Sequence, residues 1–60
     1  MSDDQQLIDV CELLGYGVDI NYMHGNVEIE NRQGRLLRKF KSISAALKFV
    51  LEQQARIKSI

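Results

Sequence analysis

The stretch SISAALKFVLEQQARI, Ser42 to about Ile57, carries two kinds of side chain at helical spacing. Ile43, Ala46, Leu47, Val50, Leu51 and Ile57 fall on one stripe, and Lys41, Lys48, Glu52 and Arg56 fall on the opposite side. That pattern predicts an amphipathic helix with a sheet to cover. Ser42 or Ser44 is placed to cap its start. Lys48 with Glu52, and Glu52 with Arg56, are four apart and support its exposed side.

Upstream of this helix the apolar residues repeat every second position. Val18, Ile20 and Tyr22 alternate with Asp19, Asn21 and Met23; beyond His24-Gly25, Val27 and Ile29 alternate with Glu28 and Glu30. A two-residue hairpin loop at His24-Gly25, with His24 at positive φ, pairs Tyr22 with Val27 and Ile20 with Ile29. The apolar side chains then share one face, and Asp19, Asn21, Glu28 and Glu30 share the wet one. A second turn lies at Asn31-Arg32-Gln33-Gly34 and leads into a strand from Arg35 to about Phe40. A three-residue loop with Gly34 left-handed places Leu37 inward beside Ile29 and Glu28 opposite Arg38; a loop one residue shorter places Leu36 inward and Glu30 opposite Arg35. The sequence leaves both registers open, with Phe40 past the end of pairing and tucked under the final helix.

At the start of the chain, Ser2-Asp3-Asp4-Gln5 matches a capping box, and Asp3 and Asp4 suit the positive end of a helix dipole. A helix from about Asp3 to Leu14 follows, with Leu7, Ile8, Cys11 and Leu14 on one side, Val10 flanking and Leu13 off the stripe. Gly15 supplies the left-handed residue that ends it. The predicted fold is α+β in the order α-β-β-β-α, a three-stranded antiparallel sheet with both helices packed on one face. It forms a single small domain over residues 1–60, with only the last few residues frayed.

Sixty residues bury only about 60% of the surface that their unfolded chain exposes. A disulfide, a metal or a partner subunit usually supplements so thin a core. Cys11 is the single cysteine, so no internal disulfide forms, and Cys11 with His24 falls short of a four-ligand zinc site. Self-association is the remaining device, which predicts a homodimer. Asp3 and Asp4 stand where a signal peptide needs positive charge, and no apolar run approaches the roughly 20 residues of a membrane span. The expected location is cytoplasmic, with no membrane, metal or cofactor involved.

The net charge is zero, yet its distribution is lopsided. Up to Asn31 the chain carries Asp3, Asp4, Asp9, Glu12, Asp19, Glu28 and Glu30 with no Lys or Arg. From Arg32 onward it carries Arg32, Arg35, Arg38, Lys39, Lys41, Lys48, Arg56 and Lys58 against Glu52 alone. Such asymmetry points to a basic face and an acidic partner.

In its order of elements the chain resembles the small double-stranded-RNA-binding-like group, which includes the HicA-type toxins. The resemblance is one of topology. Those toxins carry a Gly-Ser-His segment on the first hairpin, where this chain has Met23-His24-Gly25. The RNA-binding domains carry a lysine-rich cluster at the start of the last helix, where this chain has Lys39, Lys41 and Lys48.

Two residues invite a catalytic reading, and each has a plainer one. Cys11 lies on an apolar stripe without a basic neighbour in sequence to stabilise a thiolate, which marks a small core residue. His24 is explained by its turn, and Asp19 with Tyr22 makes a thin constellation around it. No phosphate loop, metal-ligand spacing or nucleophile elbow is present. The expected function is therefore non-enzymatic: a protein-interaction module, homodimeric, acting as a regulator, adaptor or inhibitor. Its interface is assigned to the apolar and neighbouring residues that the pattern leaves over, namely Phe49, Met23, Leu36, Leu37, Ala45 and Gln53. The first strand, lacking lysine and proline, is a second place for another chain to pair. The alternative is a nucleic-acid-binding regulator using Arg35, Arg38, Lys39, Lys41 and Lys48. Against it stand a pI near 6.5 and the carboxylates on the outer sheet face.

Overall fold

Helix α1 spans Asp3–Leu14 and buries Leu7, Val10 and Cys11. It stops because Gly15 takes φ +78. There the Gly15 N–H donates to Glu12 O at 3.2 Å and the Tyr16 N–H to Cys11 O at 2.8 Å, satisfying carbonyls that a helix end leaves free. The structure, a computed structural model, describes residues 2–58, so the frayed end expected at the last residues lies largely outside it. Ser2 occupies the N-cap, but its hydroxyl makes no bond to the helix backbone. The hydroxyl lies instead beside Asp4, whose carboxyl it holds below the usual range, and the Gln5 amide donates to Asp9 Oδ1 at 3.0 Å. The expected capping box is corrected accordingly: both side chains are turned toward carboxylates, to which they donate, and away from the backbone N–H groups they were expected to accept from.

Strands β1 (Gly17–Asn21), β2 (Asn26–Glu30) and β3 (Leu36–Phe40) form one antiparallel sheet in the order β1-β2-β3, and helix α2 (Ile43–Lys58) closes the fold. This is the predicted α-β-β-β-α arrangement with both helices against the sheet. The Cα atoms span only 15 Å in the thinnest direction, as one helical layer on one sheet requires. Val27 and Ile29 of the central strand are fully buried with Leu7, Ala46 and Val50, while Val18, Ile20 and Phe40 on the outer strands are half-buried.

The first hairpin differs from the expected register. Ile20 pairs with Val27 and Val18 with Ile29, so the loop has four residues, Tyr22 to Gly25. The shift is by two positions, which keeps Val18 and Ile20 on their predicted face but takes Tyr22 out of the ladder and into the loop, where it is 66% exposed. Its cause is Asn21, whose Oδ1 accepts from the Met23 and His24 amides at 3.1 and 3.3 Å while its carbonyl accepts from Gly25 N at 2.7 Å. Gly25 alone in this loop takes positive φ, and His24 does not. Asn31 organises the second turn in the same manner. Its Oδ1 accepts from Gln33 N and Arg35 N, each at 2.9 Å, and Gly34 follows at φ +82.

The third strand obeys neither register read from the sequence. The loop is the three-residue one, and Glu30 pairs with Leu36, but Ile29 then pairs with Arg38, Glu28 with Lys39 and Val27 with Phe40. Leu37 is the extra residue of a β-bulge. The bulge restores the parity that brings Phe40 under α2. Phe40 is thus paired rather than past the end of the ladder.

Ser42 caps α2, its Oγ accepting from Ala45 N at 3.2 Å. Ala46, Leu47 and Val50 are buried as the stripe predicts, but Leu51 is 37% and Ile57 59% exposed. At Ile57 the helix outruns what it covers, since its 16 residues span about 24 Å and a five-residue strand about 17 Å.

Candidate functional site

The two edges of the sheet are built differently. On β3, Arg38 lies opposite the buried Ile29 and so on the helix-covered face. Its guanidinium sits 5.9 Å from the Phe40 ring centroid and 5.7 Å from that of Phe49, and the two rings are 5.3 Å apart and tilted by 43°. An inward-turned charge, an adjacent lysine and a bulge are the devices that keep a strand edge from pairing with another chain. β3 has all three.

β1 has none of them. Its residues Gly17, Val18, Asp19, Ile20 and Asn21 pair with β2 without a shift and include no lysine, arginine or proline. Every second residue of such an edge turns its N–H and C=O outward, unpaired. On the outer face Asp19 lies opposite Glu28, and Gly17 opposite Glu30. On the inner face Val18 and Ile20 are half-buried. At one end of β1, the Tyr22 hydroxyl donates to Asp4 Oδ2 at 3.3 Å, tying the loop to the start of α1. Desolvation, then that bond and the nearby Asp4 charge, raise the phenol above its ordinary pKa. At the other end, Arg32 lies across Gly15, its guanidinium against the place a Cβ would occupy. It supplies the cation that the last turn of α1 lacks.

The interface residues expected from sequence are only partly gathered. Phe49 does not stand clear of the core, as the helical wheel suggested; it is half-buried against Phe40 and covered by Arg38. The wheel placed it off the stripe correctly, but the sheet wraps far enough for β3 to meet that side of α2. Ala45 is exposed and Gln53 half-buried on the same helix. Leu36 and Leu37 are 49% and 44% exposed, the bulge keeping both out of the core. Met23 is 91% exposed in the β1–β2 loop.

The five cations of the nucleic-acid alternative are not collected on one surface. Arg38 is on the inner face over the rings, Lys39 on the outer face opposite Glu28, Arg35 in the turn before β3, Lys41 after it, and Lys48 exposed on α2. An open depression of about 350 Å³ is lined by Asn26, Val27, Glu28, Lys39, Phe40 and Lys41, and another of about 370 Å³ by Leu14, Tyr16, Asn31, Arg32 and Gln33. Neither holds a histidine or a cysteine.

Of the catalytic candidates, His24 is exposed with its backbone amide bonded to Asn21, and Tyr22 is committed to Asp4. Burial pushes the Cys11 thiol from 9.0 up to about 11. Its reaction with a thiol reagent at pH 8 is therefore expected to follow unfolding, at a rate that rises with urea. Because the unfolded chain gives up this proton first, the thiol's contribution to stability is complete below pH 9 and is lost as pH rises toward 11. Cys11→Ala should flatten that part of the pH–stability curve, by up to about 2 kcal/mol.

Among the described residues, no group of three or more His, Cys, Asp or Glu side chains is placed to hold a metal ion, and no helix is long and apolar enough to cross a membrane. No family model, curated protein or solved structure matches this chain.

Proposed function

We propose that this chain is a non-enzymatic protein-interaction module, a regulator, adaptor or inhibitor, that takes an extended segment of a partner onto the free edge of β1. The observation that carries this reading is the contrast between the two edges: β3 is bulged at Leu37 and guarded by Arg38 and Lys39, while β1 is regular and unguarded. Strand addition draws affinity from main-chain hydrogen bonds and specificity from alternate side chains, and it needs no pocket.

The same contrast bears on the expected homodimer. Two-fold pairing centred on β1 sets Asp19 against the Asp19 of a second copy and brings two acidic α1 helices to the seam. Pairing β1 with the β3 of a second copy meets the bulge and Arg38, and its head-to-tail geometry leaves an open chain of subunits. A different protein is the better occupant. Nucleic acid ranks below it, because the cations are spread over both sheet faces and Lys39 opposes Glu28.

The test begins with linear heptapeptides selected from a random library on the immobilised full chain. Each binder is then resynthesised with N-methyl groups on alternate backbone nitrogens, in both phases. Methylation in the phase that faces β1 should weaken binding by about tenfold or more, and methylation in the other phase should leave it unchanged. Equal tolerance of both phases, or a selection that returns no binder, contradicts strand addition.

A further inference from the structure

We infer that the segment added to β1 carries Lys or Arg at alternate positions, with apolar residues between them. The inference rests on strand addition at β1 and names the chemistry of what is added. Across the outer face, one cross-strand row runs Asp19, Glu28, Lys39 and the next runs Gly17, Glu30, Leu36. In the first row Glu28 has Lys39 on one side and a like charge on the other. Like charges directly opposed on neighbouring strands are destabilising, and opposite charges are stabilising. A cation on the added strand opposite Asp19 completes the order plus, minus, minus, plus.

The second row has no cation at all. Its carboxylate, Glu30, is separated from the free edge only by Gly17, which puts no side chain in the way. A long basic side chain opposite Gly17 reaches over that gap toward Glu30, across two strand spacings of about 4.8 Å each. Asp19 and Gly17 are two residues apart on β1, so the two cations are two apart on the partner and share the outer face. The residues between them fall on the inner face beside Val18 and Ile20, whose remaining exposure an apolar side chain covers. The pattern is basic, apolar, basic, apolar.

Of the described cations near β1, Arg32 rests on Gly15 at the end of α1 and is not part of either cross-strand row. Up to Asn31 the chain has no Lys or Arg, and Arg38 is turned to the other face. The chain's own Lys39-Phe40-Lys41 has the right alternation, but it is already paired with β2 and lies on the guarded edge.

The library selection is run in parallel on the wild-type chain and on a D19K/E30K variant, with circular dichroism and urea unfolding to establish that the variant folds. Wild type should enrich heptapeptides with Lys or Arg two apart around an apolar residue. The variant should lose at least about tenfold affinity for those peptides and enrich acidic ones instead. If wild-type binders show the alternating dependence on N-methylation but no basic bias, strand addition stands and the basic partner is overturned. If both chains enrich the same sequences, the charge argument is likewise overturned. Sedimentation of the chain alone should give a monomer; association at micromolar concentration that D19K/E30K abolishes would assign the edge to a second copy and overturn a foreign partner.

Discussion

Leu7→Ala is expected to lower the unfolding free energy by about 2–5 kcal/mol. Leu7 is fully buried where α1 meets the sheet and α2, beside Val27, Ile29 and Val50. Removing its side chain takes away apolar contact and leaves a space that three packed elements cannot close together. A domain of this length has a total stability of about 3–9 kcal/mol, so the loss is a large part of the whole. Urea unfolding followed by circular dichroism should show an early midpoint or no folded baseline. Leu13→Ala, one turn and a half further along but 74% exposed, is the control and should change stability by less than about 0.5 kcal/mol. Equal losses at the two sites would mean that α1 presents a different face to the sheet.

Gly15→Ala is the second large effect, with an expected loss of about 1–3 kcal/mol. Its φ of +78 is a left-handed conformation that an L side chain adopts at about 1–2 kcal/mol. A Cβ there also collides with the Arg32 guanidinium, which must leave the C-terminal end of α1; that cation contributes about 0.3–1 kcal/mol in such a position. The double variant Gly15→Ala with Arg32→Ala should therefore lose less than the sum of the single changes. Strict additivity would show that Arg32 does not rest on Gly15 in solution.

How much of this was legible in the sequence depends on the residue. The helices were readable almost to the residue because Gly15 and Ser42 mark their ends chemically, and the apolar stripes mark their faces. The central strand was equally plain, since Val27 and Ile29 alternate with carboxylates. What failed was register, and it failed where side chains rather than backbone type set the turn. Asn21 lengthens the first loop by capping two amides, and the same residue type followed at short range by glycine opens the second turn at Asn31. That pairing of Asn with a following Gly was the available signal.

The bulge was also present in the sequence as a conflict. Counted forward from Gly34, Leu37 faces inward; counted back from Phe40, Arg38 does. One extra residue reconciles the two counts, and the adjacent pairs Leu36-Leu37 and Arg38-Lys39 are its trace. The partnership of Phe49 with Phe40 and Arg38 was not legible, because it depends on how far the sheet reaches around α2. That contact packs Phe49 against Phe40 and beneath the inward-turned Arg38 of β3.

The most direct measurement is amide hydrogen exchange of the chain with and without a heptapeptide selected on it. Slowed exchange at alternate residues of Gly17–Asn21, with Leu36–Phe40 unchanged, is the result predicted for a strand added to β1. Slowing confined to Leu36–Phe40, or to the exposed side of α2, would contradict it and move the binding surface to the opposite flank.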